Sequence, residues 1–414
     1  MREILSISAL FMILLILTSC QQLNITDGEQ SSTKNASYIF YDEAVQAEVE
    51  KYFDKTVDEL TEEDFVTLTQ FKYFTISSPV ETLKDIPNLF PNLNFISLSF
   101  NNALMLAENC EIVSNLKNLK AVKIYSPELP SLDFIENLTY VEIMYSDEEV
   151  NNLATASVLG ADFINAKMTG NIKNYVRLVS DETIFELFHS DYIINDGEFD
   201  EYLETKVVVS KNSNGNYIYD TAVDVIGRIG NASGGLHTVD VNFDGNQDIL
   251  VKNGHFGNQG LVTYSCFLYR DSNYEYCPSF SDIPNVSVDK DNKKLLSVWR
   301  NWAASHSWAM YSFVDGEFVM TDLMTEELDT EEKDDDIWIY SVEQLIGGEM
   351  QETDSYSTKD YSKEQIDELF YDENSHWGLL SDKWKTLNNL GSMIGFSIYG
   401  GDDVNATIYD IVGD

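Results

Sequence analysis

The chain has 414 residues, in which 70 Asp and Glu outnumber 26 Lys and Arg and give a formal net charge of −44 at pH 7. A charge of this sign and size argues against a basic surface for nucleic acid or for an anionic bilayer. The length favours two domains, and an apolar content of 43% provides enough hydrophobic residues for a core in each.

The N-terminus carries an apolar run from Ile4 to Leu17, followed directly by Leu17-Thr-Ser-Cys20. The run is short for a bilayer span, and small residues precede the cysteine as secretory cleavage requires. The pattern resembles the signal peptide and lipobox of bacterial lipoproteins, although Glu3 departs from the basic start of that family. The resemblance implies cleavage before Cys20 and lipidation of its thiol. A short membrane anchor and a plain secreted protein are the alternatives.

Four segments are therefore expected along the chain. Residues 1–19 are a lipoprotein signal peptide, and residues 20–41 are the lipidated cysteine and a flexible tether rich in Ser, Thr, Asn and Gln. Residues 42–174 and 175–414 form the two domains. The lipid anchor implies a membrane as one partner and places the protein on the extracytoplasmic side of a bacterial cell-envelope membrane.

In the first domain, five segments repeat a pattern with apolar residues at the first, fourth and sixth positions. They begin at Phe71, Leu93, Leu119, Leu138 and Phe163, at separations of 22, 26, 19 and 25 residues. This spacing is typical of leucine-rich repeats, which must stack because no unit buries its apolar face alone. The preceding Leu60-Thr-Glu-Glu-Asp64 resembles the helical N-terminal cap of internalin-like repeats. We expect a short leucine-rich-repeat solenoid, with unrelated β-α units of coincidental spacing as the alternative.

Three aromatic residues occupy the same position in three of these repeats: Tyr73, Phe95 and Tyr140. In a solenoid this position faces outward on the concave side. An aromatic ladder there would be a rigid apolar surface for a protein or glycan partner. The alternative is that the three rings only cover neighbouring strands.

The second domain is predicted to be mainly β, because short strands alternate with turns rich in Asn, Gly and Asp. Asp315-Gly316 between two such strands is a strong hairpin signal. Helices are expected at the periphery. The predicted fold class is therefore α+β, a short leucine-rich-repeat solenoid followed by a mainly antiparallel β domain with a calcium loop.

The calcium loop is the sequence Asp240-Val-Asn-Phe-Asp-Gly-Asn-Gln-Asp248, which places oxygen-bearing side chains at alternate positions and a glycine at the sixth. A helical calcium hand is rejected, because position 12 is Val251 and both flanks read as strands. The loop resembles those of integrin-type propeller repeats and of bacterial surface lipoproteins. The resemblance implies calcium as the cofactor, in a structural site. The implied ligands are Asp240, Asn242, Asp244, Asn246 and Asp248.

Two cysteines of the second domain are candidates for a disulfide. Cys266 and Cys277 are separated by eleven residues, which suits neighbouring strands of a hairpin, and an export route permits oxidation. The alternative is that both are small buried apolar residues, as expected for Cys110.

All six tryptophans lie after residue 298, and three of them, Trp299, Trp302 and Trp308, stand close together. Such a cluster predicts either a groove for a glycan or protein partner or ordinary core packing. The sequence contains no H-E-x-x-H, no G-x-S-x-G and no P-loop, so we expect a protein that is not an enzyme.

Three functions remain open. The first is a surface-anchored lipoprotein that acts as a binding module through its leucine-rich repeats. The second is an enzyme inhibitor or immunity-type lipoprotein, which the calcium-loop domain resembles. The third is a cell-wall glycan hydrolase with a cleft lined by tryptophan.

Overall fold

A computed structural model describes residues 38–101, 103–126, 138–145, 166–194, 202–225, 235–256, 261–290, 292–329 and 337–360. The expected signal peptide, Cys20 and most of the expected tether lie outside these ranges. Among the described residues, no helix has both the length and the apolar character needed to cross a membrane.

The structure contains five α-helices and eighteen strands in the described ranges. The helices are α1 (Glu43–Phe53), α2 (Glu62–Leu68), α3 (Ile86–Leu89), α4 (Ala103–Ser114) and α5 (Pro278–Ser281), with 3₁₀ turns at Val57–Glu59 and Thr358–Asp360. The first strands are β1 (Tyr73–Pro79), β2 (Phe95–Ser99), β3 (Ala121–Ser126), β4 (Tyr140–Tyr145), β5 (Ile172–Ser180), β6 (Thr183–Ile194), β7 (Tyr202–Ser213) and β8 (Asn216–Asp224). The next are β9 (Leu236–Val239), β10 (Asp248–Phe256), β11 (Leu261–Arg270), β12 (Asn273–Tyr276) and β13 (Val286–Asp289). The last are β14 (Lys294–Trp302), β15 (Ser305–Val314), β16 (Glu317–Leu328), β17 (Trp338–Ile346) and β18 (Glu349–Ser357).

The strands belong to three sheets, β1–β8, β9–β12 and β13–β18. By compactness the chain divides into two units, Met1–Leu119 and Lys120–Asp414. The sequence placed a boundary between residues 174 and 175 instead. The boundary between residues 174 and 175 stays a prediction; it falls within β5, which pairs antiparallel with β4, with Tyr140 opposite Leu178.

In the first unit, Asp42 is the residue that joins the helical segment to the strands. Its Oδ1 accepts the N–H of Ala44 at 2.8 Å and caps α1, and its Oδ2 accepts the N–H of Glu81 at 2.7 Å. Asp85 in turn accepts the N–H of Asp42 at 3.0 Å. Both carboxylates are buried, and backbone N–H groups satisfy their oxygens. The sequence analysis did not identify this pair.

The prediction of an α+β fold with a leucine-rich-repeat solenoid is wrong. Strands do form near the starts of the first four predicted repeats, and β1 pairs parallel with β2 and β3 with β4. A solenoid would continue in this way, but β5 returns antiparallel to β4, and the pairs that follow through β8 are antiparallel. The described residues form three mainly antiparallel sheets. The sequence also predicted a mainly antiparallel β domain at the C-terminal end, and that portion of the prediction partly fits the three sheets.

In the second unit, the core lies between the four-stranded and the six-stranded sheets. Its members include Leu250 and Leu268 from the first sheet and Leu295 and Tyr311 from the second. They are buried because alternate residues of each strand point to the same face, and the apolar faces of the two sheets meet. Asp315 and Gly316 connect β15 to β16 with φ of 51° and 96°, which is the predicted hairpin.

Candidate functional site

The predicted calcium loop connects β9 to β10, which pair antiparallel with Val239 opposite Asp248. It is therefore a strand-loop-strand element, as its flanking sequence indicated. The loop turns back on itself at Phe243 and Gly245, whose φ angles are 63° and 93°. Glycine adopts such a φ without steric cost, which explains its place at the sixth position.

Side-chain oxygens hold the loop in this shape. Asp240 accepts the N–H of Asp244 at 3.1 Å through Oδ1 and that of Gly245 at 2.9 Å through Oδ2. Asn242 Oδ1 also accepts the N–H of Asp244, at 3.1 Å, and Asp244 Oδ1 accepts the N–H of Asn246 at 2.8 Å. The oxygens of Asp240, Asn242 and Asp244 are thus gathered in one short turn.

Asp248 differs from the other four residues of the motif because it is fully buried. Its Oδ2 accepts the N–H of Val241 at 3.0 Å, and its Oδ1 accepts the N–H of Tyr269 in β11 at 2.9 Å. Burial and, to a smaller extent, the charges of Asp244 and Asp240 raise the pKa of Asp248 from 3.8 to about 7, against the effect of these two hydrogen bonds. Asp248 therefore ties the start of the loop to a neighbouring strand.

These residues have the donor chemistry that calcium requires. Carboxylate and amide oxygens are its preferred ligands, and a cation would offset the repulsion that Asp240 and Asp244 exert on Asp248. In the described residues, this loop included, no three side chains of His, Cys, Asp or Glu are arranged to bind a metal ion. Calcium binding accordingly stays a prediction.

The two candidate disulfide cysteines are adjacent in the structure. The N–H of Cys277 donates to the carbonyl of Cys266 at 2.8 Å, so the two residues lie opposite each other where β12 ends beside β11. Both are free thiols and both are buried. A hydrogen bond from the Cys266 thiol lowers the pKa of Cys277 to about 6, whereas burial raises the pKa of Cys266. The bridge is not formed here and stays a prediction.

The tryptophans stand on one hairpin but not in one groove. Trp299 lies opposite Ser307 and Trp302 opposite Ser305, so these two rings share a face of the β14–β15 hairpin. Trp308 pairs with Val298 on the other face. Trp299 packs against the core, whereas Trp302 is 37% exposed.

Polar contacts fix the end of this hairpin. Trp299 Nε1 donates to Asn301 Oδ1 at 2.8 Å, and Asn301 Nδ2 donates to the hydroxyls of Ser305 and Ser307 at 3.0 Å and 2.9 Å. Arg300 Nε donates to the carbonyl of Trp302 at 2.9 Å. We call residues 299–307 the aromatic hairpin.

The aromatic ladder expected on the repeats is not an exposed surface. In the first unit Tyr73 and Phe95 pair across β1 and β2 with ring centroids 6.5 Å apart, but Phe95 is buried. In the second unit Tyr140 is buried as well, and its hydroxyl donates to Glu142 Oε2 at 3.4 Å. The alternative interpretation, that these rings cover neighbouring strands, describes Phe95 and Tyr140.

Comparisons with known proteins give little to add to this geometry. No protein-family model and no curated protein matches the chain. One solved structure that it is similar to is described as a Xanthomonas type IV secretion system related protein. The two are 20% identical over 44% of this chain and 93% of that chain, with a TM-score of 0.30. A TM-score of this size does not establish a shared fold.

Proposed function

We propose that the protein is a lipid-anchored binding protein on the extracytoplasmic side of a bacterial membrane, without catalytic activity, whose β-sheets are stabilised by calcium at the Asp240–Asp248 loop. Cys20 would carry the anchor. The binding surface would include the aromatic hairpin, and not the repeats from which a surface was first expected.

The observation that carries this proposal is the exposed Trp302 ring at the end of a hairpin whose polar groups are already paired. Tryptophan supplies a large contact area, and a side chain held on a fixed backbone loses little conformational freedom when a partner binds. The neighbouring Asn301 side chain is exposed, and an exposed amide suits a glycan or a polar protein surface. A net charge of −44 favours a neutral or basic ligand.

Binding of the soluble mature protein to isolated cell-wall polysaccharide and to a panel of exported proteins tests the proposal. We expect saturable binding to at least one preparation, and we expect Trp302→Ala to weaken it by about thirtyfold, the loss typical of a central aromatic contact. Tyr276→Ala removes a ring that is 41% exposed on another sheet and serves as the control. Equal binding by Trp302→Ala and the unaltered protein would exclude the hairpin, and absence of saturable binding would exclude the function.

A second candidate function is inhibition of a basic enzyme, which the acidity of the chain favours because opposite charge accelerates association and selects partners. Muramidases and secreted toxins of several classes are the targets to assay. Protection that persists in Trp302→Ala would support inhibition through another surface. Turnover of peptidoglycan by the protein alone, lost on substitution of one carboxylate, would instead support the glycan hydrolase.

A further inference from the structure

Within the part of the chain that the structure describes, β8 is an edge strand with exposed apolar side chains. Among the described strands it pairs only with β7, at the end of the eight-stranded sheet. Its residues Tyr217, Ile218 and Tyr219 are 43%, 56% and 44% exposed. Because successive side chains of a strand point to opposite faces, both faces of the sheet are accessible to solvent at this position.

The backbone of β8 offers hydrogen-bonding groups at the same place. Asn214 and Gly215, with φ of 55° and 87°, form a two-residue turn between β7 and β8, and Ser213 lies opposite Asn216. In such a hairpin the residues flanking the turn are hydrogen-bonded to each other, and the first and third residues after this pair point their N–H and C=O away from the partner strand. These residues are Tyr217 and Tyr219. Their backbone groups therefore face the open edge.

Comparison with another edge of the same unit shows what β8 lacks. The edge strand β18 exposes three acidic side chains, Glu349, Glu352 and Asp354, and charged residues on an edge discourage pairing with other chains. The acidic residues of β8 are instead neutralised by β7, since Lys211 Nζ lies 2.8 Å from Asp220 and Lys206 Nζ lies 2.9 Å from Asp224.

The accessible part of the edge is short. The register between β7 and β8 shifts between Val209 and Ser210, so that Asp220 has no opposite residue. Such a bulge interrupts regular pairing. A docking strand would therefore align with Asn216–Tyr219, where the outward groups of Tyr217 and Tyr219 provide two donors and two acceptors.

We propose that the β8 edge at Tyr217–Tyr219 is a docking site for an extended, basic segment of another protein, which adds a strand to the eight-stranded sheet. Backbone hydrogen bonds provide the register, and the exposed rings provide apolar contact on both faces. The net charge of the whole chain, and not the paired acidic residues of β8, determines which occupant we expect. Two copies of a chain with net charge −44 repel each other, whereas a segment that alternates lysine with β-branched residues is attracted. This surface is separate from the aromatic hairpin.

A synthetic six-residue peptide of alternating lysine and valine is the probe, and a matched peptide with glutamate in place of lysine is its control. We expect the mature protein to bind the lysine peptide and not the glutamate peptide in calorimetric titrations. Amide hydrogen exchange should show new protection at the N–H groups of Tyr217 and Tyr219. Absence of binding, or protection confined to other strands, would overturn the proposal.

Three variants of Tyr219 separate strand addition from general charge attraction. Tyr219→Pro removes an outward N–H without removing a hydrogen bond to β7, and we expect the peptide to bind about three- to tenfold more weakly, the effect of one lost hydrogen bond together with the steric conflict. Tyr219→Ala keeps the N–H, so the exchange protection at this residue should persist. Tyr219→Lys keeps the backbone and adds a like charge opposite the peptide, and it should also weaken binding. Equal affinity for all three variants and the unaltered protein would overturn the proposal, as would self-association through β8 in place of peptide binding.

Discussion

Asp248 has a second role that its position in the calcium motif does not reveal. Its two oxygens accept backbone N–H groups of Val241 and Tyr269, which belong to the loop and to β11. The sequence predicted the residue and its chemistry, because the spacing of oxygen ligands is characteristic. It did not predict the burial or the contact with Tyr269, since Tyr269 lies far along the chain. The same limit applies to Tyr140, whose burial depends on neighbours that the repeat pattern does not specify.

We expect Asp248→Ala to lower the free energy of unfolding by about 2–5 kcal/mol in chelator, because one buried and one half-buried N–H group lose their acceptor. Asp248→Asn keeps one acceptor oxygen and should lose less. Urea unfolding of the two variants beside the unaltered protein measures both effects. Losses for both variants within about 0.5 kcal/mol of zero would show that the buried hydrogen bonds do not contribute as described.

The raised pKa of Asp248 predicts a pH dependence of stability in chelator. The folded state binds this proton more tightly than the unfolded chain, whose carboxyl has its ordinary pKa of 3.8, because burial raises the folded pKa to about 7. The stabilising contribution is therefore fully present below pH 3.8 and is lost as the pH rises through 7. We expect the unfolding free energy of the protein, relative to that of Asp248→Asn, to decrease as the pH is raised from 4 to 8. A difference that is constant with pH contradicts the expectation.

The strands of the first repeats show how far a local pattern determines an element. Four strands form near the predicted positions, because the apolar spacing there favours extended segments; β1 is buried on one face, whereas β2 and β3 are buried on both. The direction of the next strand is not encoded in that spacing, and β5 turned back beside β4. Turn chemistry was more informative, since Asp315-Gly316 predicts antiparallel neighbours directly. The exposed edge of β8 was not predictable, because strand order within a sheet depends on the whole sheet.

The β11–β12 pair carries a prediction of its own. Cys266 and Cys277 are cross-strand neighbours, a placement compatible with the Cα separation of a disulfide, and the hydrogen bond from the Cys266 thiol lowers the pKa of Cys277, which favours the thiolate that disulfide formation requires. We expect the protein produced under oxidising conditions to contain the Cys266–Cys277 bridge, detected by mass spectrometry of peptides prepared without reductant. Cys110→Ser should leave that peptide pair unchanged. Recovery of both cysteines as free thiols from oxidising conditions would contradict the prediction.

For the whole molecule, composition determined more than any motif. The charge of −44 argues against nucleic acid and anionic surfaces, and it favours both a bound cation and basic partners. The mainly β architecture of the second unit also followed from composition and turn spacing. The domain boundary expected between residues 174 and 175 stays a prediction.

Thermal and urea unfolding of the protein produced from Gln21 onward, in millimolar calcium and in chelator, tests whether the Asp240–Asp248 loop is a calcium site that stabilises the sheets. We expect calcium to raise the free energy of unfolding by about 1–3 kcal/mol, as for an extracellular site at ten to a hundred times its dissociation constant. Asp244→Ala should abolish the increase, whereas Asp282→Ala, which removes an exposed carboxylate after α5, should retain it. An equal response to calcium in Asp244→Ala, or no response in the unaltered protein, would contradict the account.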